Sequence, residues 1–258
     1  MTILDSLYEA ALGDAAVREA QTPLAEVQSL AAAQPPARDG YAALTRSDHI
    51  HVIAEVKRAS PSRGDLADIP DPALLAETYA ANGASVISVL TERTRFKGSL
   101  DDLRAVRQRV RVPVLRKDFI ATEYQIVEAR AAGADLVLLI VAGLSESQLR
   151  TLRELAESLG MHALVETHND DEVRAAVASG ARIIGVNARD LKDFAEDPSR
   201  FSALAAQIPD DVVKVAESAV RTAEDVRDYR AAGADAVLVG QALVTGDPAE
   251  LLPQFTAV

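Results

Sequence analysis

The phrase Ala-x-Gly-Ala recurs at regular intervals along the chain, with its glycines at positions 83, 133, 180 and 233. Each copy follows an amphipathic segment and precedes an apolar, β-prone run, as expected where glycine takes the left-handed conformation that ends a helix. An interval of about fifty residues corresponds to two strand–helix units. The repeat therefore predicts a regular alternation of helices and strands.

Eight apolar runs, separated by helical stretches, are predicted to be the strands of this alternation. Most are rich in Val, Ile and Leu without clean polar alternation, which is typical of parallel strands buried on both faces. Eight such units favour an α/β fold with a single (β/α)₈ TIM barrel. A doubly wound open sheet is the alternative, but it would normally carry a glycine-rich phosphate-binding turn after its first strand, and none follows that run. The predicted strands cover residues 51–57, 85–91, 113–119, 135–141, 162–168, 182–189, 212–218 and 236–243.

Residues 1–48 precede the first strand and are predicted to form a helical extension packed on the barrel. Leu4, Leu7, Tyr8 and Ala11 recur at helical spacing, and prolines interrupt the segment further on. The apolar stripe predicts a helix face packed against the barrel. A lid over one mouth of the barrel is the more specific alternative. No low-complexity tract or linker separates this segment, so residues 1–258 are expected to form one domain.

Composition excludes several classes of function. The net charge of −12 opposes non-specific binding of nucleic acid or anionic lipid. The chain has no cysteine, which excludes disulfides, thiolate nucleophiles and cysteine-ligated metals. The longest apolar run is far shorter than the roughly 18 residues of a membrane span, and acidic residues interrupt any signal peptide. A cytoplasmic protein that binds a small molecule is expected, as a monomer, with an oligomer left open.

Charged and amide side chains fall at the carboxyl ends of the predicted strands, where barrel enzymes hold their active sites. A single such residue would usually be a solvated loop residue or half of an ion pair. Their joint placement is more telling, because two of only five lysines belong to the set, whereas Lys214 lies early in its strand and is assigned no role. The two-residue strand period places the members on inward faces. They are Glu55, Lys57, Lys117, Glu166, Asn187 and Arg189.

The loops after the seventh and eighth strands are the predicted phosphate site. In many barrels these loops bind phosphate through backbone N–H groups. The candidates are Ser218, Ala219, Gly240 and Gln241. A phosphorylated small molecule is therefore the expected ligand.

Six strings resemble the indole-3-glycerol phosphate synthase family, in that family's order and over essentially the whole chain. The strings from the first and third strands are the most specific. The six are Ile-Ala-Glu-Val-Lys-Arg-Ala-Ser-Pro-Ser (53–62), Ser-Val-Leu-Thr-Glu (88–92), Val-Leu-Arg-Lys-Asp-Phe (114–119), Leu-Val-Glu (164–166), Ile-Gly-Val-Asn-Ala-Arg-Asp-Leu (184–191) and Val-Ala-Glu-Ser (215–218).

The resemblance implies a step of tryptophan biosynthesis, in which 1-(2-carboxyphenylamino)-1-deoxyribulose 5-phosphate becomes indole-3-glycerol phosphate with loss of carbon dioxide and water. It implies Lys117 as general acid on the ketone and Glu166 as the acid/base partner. Glu55, Asn187 and Glu217 would surround the sugar hydroxyls and the reacting centre. One acid/base pair can serve these steps without a metal or cofactor, and the four histidines fit no metal-ligand spacing.

The same likeness assigns the ends of the substrate. Lys57 would span its phosphate and carboxylate with Ser60 in support, and Arg189 would lie near the carboxylate. The residues expected to border the aromatic ring are Leu90, Phe96 and Phe119. Two positions depart from the family: Ala219 stands where Gly is usual, and Gln241 where Glu or Ser is common. Alanine keeps the N–H group but resists a positive φ, which bears on phosphate affinity.

Three other functions compete with this interpretation. A phosphoribosylanthranilate isomerase shares the fold and a related substrate but is expected to use a cysteine base, which this chain lacks. A Schiff-base aldolase would use Lys117 as its nucleophile. A catalytically inactive barrel that serves as a binding module is a third possibility, and the complete set of charged residues argues against it.

Overall fold

Eight parallel strands form a closed barrel in the computed structural model, which describes residues 2–190 and 195–258. Each strand pairs with its sequence neighbours, and the eighth closes on the first. The predicted barrel is confirmed, and each strand lies within its predicted run. Leu191, the last residue of the fifth string, lies outside the described residues. The strands are β1 (His51–Val56), β2 (Val86–Leu90), β3 (Val114–Lys117), β4 (Leu136–Ile140), β5 (His162–Thr167), β6 (Ile183–Asn187), β7 (Val213–Glu217) and β8 (Ala236–Val239).

Most helices between the strands begin at side-chain caps, and four of them end at the repeated glycines. Thr122, Ser145 and Thr222 each accept a hydrogen bond from the third backbone N–H of the helix that follows. All four glycines of the repeat have a positive φ, from 84° at Gly180 to 105° at Gly83. The helices are α1 (Ile3–Gln21), α2 (Leu24–Ala32), α3 (Pro72–Ala81), α4 (Leu100–Arg109), α5 (Glu123–Ala131), α6 (Glu146–Ser158), α7 (Asp170–Ser179), α8 (Ser199–Ala205), α9 (Ala223–Ala231), α10 (Gln241–Thr245) and α11 (Pro248–Thr256).

Two local structures differ from the sequence-based expectation. A small antiparallel hairpin pairs Ala59–Ser60 with Gly64–Asp65 directly after β1. The last predicted strand, 236–243, is shorter than expected because its final residues turn into α10. In both places the chain leaves the barrel ladder to form the loops around the mouth.

The N-terminal extension contacts the barrel in three places. The inward face of α1, which includes Leu7 and Tyr8, joins the apolar cluster inside the barrel. The edge of the Tyr8 ring meets the ring of Phe119 with centroids 5.6 Å apart, so α1 lies over the carboxyl mouth. The apolar face of α2 packs on α5, and Leu44 is fully buried against the opposite end of the barrel. The extension therefore combines the packing role with cover of the mouth.

No helix within residues 2–190 and 195–258 combines the length and the apolar character that crossing a membrane requires.

Candidate active site

The carboxyl ends of the strands surround a pocket of about 500 Å³. The fifteen residues that the sequence nominates all line it. They are Glu55, Lys57, Ser60, Leu90, Phe96, Lys117, Phe119, Glu166, Asn187, Arg189, Glu217, Ser218, Ala219, Gly240 and Gln241. The structure thus brings the set together, while the role of each member remains a prediction.

Lys117 lies between two carboxylates at the end of β3. Its Nζ is 3.3 Å from Glu166 Oε2 and 3.2 Å from Glu217 Oε2. Asn187 donates from Nδ2 to Glu166 Oε1 at 3.1 Å. Three neighbouring strands, β5, β6 and β7, therefore orient their end residues around a single ammonium group.

The pKa of Lys117 is raised above its ordinary value. Burial alone would lower this pKa, but the carboxylates of Glu217, Glu166 and Glu55 outweigh burial. The other lysine at the mouth, Lys57, has its Nζ paired with Glu55 Oε1 at 2.7 Å.

The two carboxyl groups beside Lys117 are shifted in opposite directions. Burial raises both pKa values, but Lys117, His168 and Asn187 lower that of Glu166 below its ordinary range. For Glu217, burial and the negative charge of Glu166 outweigh Lys117 and raise its pKa to about 8. At neutral pH the site therefore holds one ionised and one protonated carboxyl group, an arrangement suited to acid and base chemistry in one pocket.

Two glycines give the carboxylates room. A Cβ atom on Gly185 would lie 2.1 Å from Glu217 Oε1, and one on Gly240 would lie 2.5 Å from Glu55 Oε1. Within the described residues, Glu217 Oε1 and Glu55 Oε2 are buried oxygens with no hydrogen-bond partner. A buried unpaired oxygen is unfavourable in the empty pocket, and a substrate hydroxyl would relieve it. The sequence analysis missed Gly185, because a strand glycine carries no chemical signature.

The opposite wall of the pocket is apolar. The rings of Phe96 and Phe119 are 6.1 Å apart. The loop that carries Phe96 is ordered by the Glu92 carboxylate, which accepts N–H groups from residues 94, 95 and 96 at 2.7 to 2.9 Å. Leu7 of α1 lines this wall as well, although it was not among the site residues predicted from the sequence. The apolar residues that line this wall include Leu7, Leu90, Phe96, Phe119, Leu138 and Ile140.

The loop after β7 adopts a left-handed backbone at two consecutive residues, with φ of 70° at Ser218 and 58° at Ala219. Such a conformation costs a residue other than glycine roughly 1–2 kcal/mol. Neighbouring groups hold it in place: Ser218 Oγ donates to Asn187 Oδ1 at 2.8 Å, and Tyr229 Oη donates to the Ser218 carbonyl at 3.3 Å. Ala219 therefore occupies the backbone conformation that favours glycine.

Arg189 lies on the rim of the pocket. Its Nη1 is 3.3 Å from Ser62 Oγ, and its Nη2 pairs with Glu196. Glu196 also holds Arg221, with 2.8 Å between Oε2 and Nη2. The sequence analysis nominated neither Glu196 nor Arg221, because charged loop residues look like solvated surface.

Comparisons with known proteins agree with this geometry. The sequence model of the indole-3-glycerol phosphate synthase family matches residues 4–252. An indole-3-glycerol phosphate synthase from Leifsonia xyli subsp. xyli is 57% identical over 256 residues, which cover 99% of this chain and 98% of that protein. One from Arthrobacter sp. is 56% identical over 262 residues, with 100% and 96% covered.

A solved structure supports the fold alone. Thiamine phosphate pyrophosphorylase from Pyrococcus furiosus superposes with a TM-score of 0.60 over 80% of this chain and 93% of that chain, at 14% sequence identity.

Proposed function

The chain belongs to the indole-3-glycerol phosphate synthase family of tryptophan biosynthesis, and we propose that Lys117, Glu166 and Glu217 move the protons of its reaction. The observation that carries this assignment is the position of the Lys117 ammonium group, whose Nζ lies 3.3 Å from Glu166 Oε2 and 3.2 Å from Glu217 Oε2. An ammonium is the donor for a carbonyl oxygen, an ionised carboxylate is a base, and a protonated carboxyl is a second donor.

The substrate is proposed to lie across the pocket. Its phosphate would meet the loops after β7 and β8, near Ala219 and Gln241. Its aromatic ring would lie against Phe96 and Phe119. With the phosphate at the loop backbone and the ring at the apolar wall, the ketone of 1-(2-carboxyphenylamino)-1-deoxyribulose 5-phosphate would lie within reach of the Lys117 ammonium group.

Ring closure would begin at Lys117. As the ring carbon that bears the carboxylate attacks the ketone, Lys117 donates a proton to the developing alkoxide. The raised pKa of Lys117 keeps this proton available at neutral pH. Loss of carbon dioxide then leaves its electron pair in the ring and restores aromaticity.

Dehydration would use the carboxyl pair. The hydroxyl group formed in the first step leaves as water after it takes a proton from Glu217, whose pKa is raised to about 8. Glu166, which is ionised, accepts a proton from the methylene carbon attached to the substrate nitrogen, and the electron pair of that C–H bond becomes the indole C2–C3 double bond. Glu55 and Asn187 would hold the sugar hydroxyls during these steps.

The charged ends of the substrate would meet cations on the rim. Lys57 would span the phosphate and the carboxylate with Ser60 in support, and Arg189 would meet the carboxylate. In the structure Arg189 already pairs with Glu196, so the substrate carboxylate would share this guanidinium or displace Glu196.

We further propose that residues 1–258 act as one domain, as a cytoplasmic monomer whose ligand is the phosphorylated substrate, with no nucleic-acid or membrane partner. The burial of α1 residues in the barrel's own apolar cluster supports a single domain, and the net charge of −12 supports the choice of ligand. Light scattering at assay concentration tests the monomer, since a mass near twice 27.4 kDa would contradict it.

An indole-fluorescence assay with the carboxyphenylamino substrate tests the chemistry. Glu166→Gln keeps the size of the side chain and removes the base, so kcat should fall by about 10²- to 10⁴-fold. Lys214→Met is the matched control, because Lys214 pairs with Asp210 at the amino end of the barrel, away from the pocket. Normal turnover by folded Glu166→Gln would refute the proposed roles. Borohydride should leave Lys117 unmodified, because a protonated amine forms no Schiff base.

A further inference from the structure

His168 contacts two carboxylates beside the pocket. It follows β5, two residues after Glu166, and only 8% of its side chain is exposed. Its Nε2 lies 3.3 Å from Glu166 Oε1, and its Nδ1 lies 3.0 Å from Glu172 Oε2. The imidazole therefore bridges the predicted base and a second carboxylate on α7.

Glu172 is itself fixed by the start of α7. Its Oε2 accepts the backbone N–H of His168 at 2.7 Å, and its Oε1 accepts Asn169 Nδ2 at 2.6 Å. Asn169 caps the helix by accepting the N–H of Glu172 at 3.0 Å. Because these bonds hold Glu172 in one place, its contact with Nδ1 fixes the imidazole, and Nε2 then lies at ion-pair distance from Glu166 Oε1.

Among the described residues, the titratable and polar groups near this pair come from α1 and from three strands. On α1, burial and the charge of Glu166 raise the pKa of Tyr8. Lys117 approaches Glu166 Oε2 from β3, Asn187 donates to Oε1 from β6, and Glu217 lies beyond Lys117 on β7. Burial would lower the pKa of His168, but Glu166 and Glu172 outweigh burial and raise it to about 9. The ring is therefore an imidazolium at neutral pH.

We propose that His168 is a positioning residue for the base: clamped by Glu172, its imidazolium orients Glu166 Oε1 and holds the carboxylate in its ionised form. This inference rests on the proposed role of Glu166 in the reaction. His168 acts through Glu166 and donates no proton to the substrate. The alternative is an ion pair that only ties β5 to α7 and has no effect on the chemistry.

The pH dependence of kcat separates these two roles. His168→Gln removes the positive charge, so the pKa of Glu166 rises and the acidic limb of the kcat profile moves to higher pH. The loss of this buried ion pair should lower kcat by about 10- to 100-fold with KM nearly unchanged. Glu172→Gln weakens the clamp and should give the same shift in smaller measure.

His162→Gln is the matched control, because His162 begins the same strand at the opposite end and stacks on Tyr41. Its kcat profile should match that of the wild type. An unmoved acidic limb and normal kcat in His168→Gln would overturn the inference. If Glu166→Gln proved fully active as well, the proposed function would fail with it, whereas an inactive Glu166→Gln beside an unaffected His168→Gln would sink the His168 assignment alone.

NMR of the wild type with ¹⁵N-labelled histidine tests the same inference without activity, and it serves if His168→Gln fails to fold. The four histidines are assigned by single substitution at His49, His51 and His162. His168 should be doubly protonated at pH 7.5, with a titration midpoint that falls in Glu172→Gln. A neutral His168 at pH 7.5 would contradict the proposal.

Discussion

Arg116 and Lys117 are consecutive residues of β3, and each is a cation between two carboxyl groups, but they lie on opposite faces of the sheet. Arg116 points out of the barrel toward α5. Its Nη1 is 3.0 Å from Glu128 Oε2, and its Nη2 is 3.0 Å from Asp118 Oδ2. The Thr91 hydroxyl accepts Nε at 3.2 Å, so this outer cluster satisfies its guanidinium on all three nitrogens.

The inner cluster is built differently. Lys117 faces the pocket, where a carboxylate oxygen of Glu217 is buried without a partner among the described residues. Two carboxyl groups there share one cation, and the adjoining loop holds Ser218 and Ala219 in a left-handed backbone. Each cluster pairs one cation with two carboxyl groups, although Arg116 is fully buried and the Lys117 side chain is 15% exposed. The two clusters differ most in the completeness of their hydrogen bonding.

The largest expected effect is on turnover, at Lys117. Lys117→Met keeps the length of the side chain and removes the proton, so kcat should fall by about 10²- to 10⁴-fold. KM should change far less, because a proton donated during ring closure stabilises mainly the transition state. Steady-state kinetics on protein verified by thermal melting tests this. A raised KM with nearly normal kcat would mean that Lys117 only attracts the substrate's negative charges.

The same substitution one residue earlier should act on stability. Arg116→Met leaves Asp118 and Glu128 without their shared cation, and breaking such a buried pair typically costs about 3–5 kcal/mol. Urea unfolding measures the loss, and kcat per folded molecule should stay close to that of the wild type. If Arg116→Met kept full stability but lost activity, the proposed difference in role between the two faces of β3 would be wrong.

Much of this comparison could be predicted from the sequence, because a barrel strand has two strictly alternating faces. The two-residue period correctly put Lys117 in the pocket, and the repeated glycines correctly marked helix ends. The outer network was missed, since the partner of Arg116 on α5 is Glu128, a long-range contact that no local pattern encodes. The pKa of Lys117 could not be predicted for the same reason, because the approach of Glu217 to its ammonium group depends on barrel closure.

The pH dependence of stability should differ between the clusters through Glu217. Its pKa is raised to about 8 in the folded protein, against 4.5 as the ordinary value, so the folded state holds this proton more tightly. The stabilisation is present below the lower value and is lost as the pH rises through the higher one. As the pH rises from 5 to 9, the unfolding free energy of Glu217→Gln should therefore increase relative to that of the wild type. If urea unfolding gave the same free-energy difference between Glu217→Gln and the wild type at pH 5 and at pH 9, the raised pKa of Glu217 would be contradicted. Glu77→Gln, which breaks an exposed pair with Arg109, should show little change.

Helix α1, which lies over the carboxyl mouth of the barrel, should contribute to substrate binding. Leu7→Gln disrupts the apolar contact that α1 makes with the pocket, and a loss of about 1 kcal/mol would raise KM about fivefold. Leu12→Gln on the same helix is the control, because 37% of Leu12 is exposed and it does not join the inner cluster. Equal KM values for the two variants would reduce α1 to a packing element.

The smallest effect should come from the strained loop. Ala219→Gly removes the Cβ from a residue with φ of 58°, which relieves about 1–2 kcal/mol of backbone strain. Glycine also gains entropy in the unfolded chain, which offsets about 0.4–1 kcal/mol, so the net gain in stability should lie between about 0 and 1.6 kcal/mol.

The KM of Ala219→Gly tests whether the strained loop binds the substrate phosphate. If the N–H groups of this loop bind the phosphate, Ala219→Gly should preserve or lower KM, because glycine holds the same conformation without strain. Asp at both Ala219 and Gln241 should raise KM strongly, since two carboxylates repel the phosphate. Gly240→Ala is the converse control: its new Cβ would lie 2.5 Å from Glu55 Oε1 and 2.8 Å from Lys57 Nζ, and should impair turnover. An unaltered KM in the double Asp variant would remove this loop from the phosphate site and leave its strain without a functional reason.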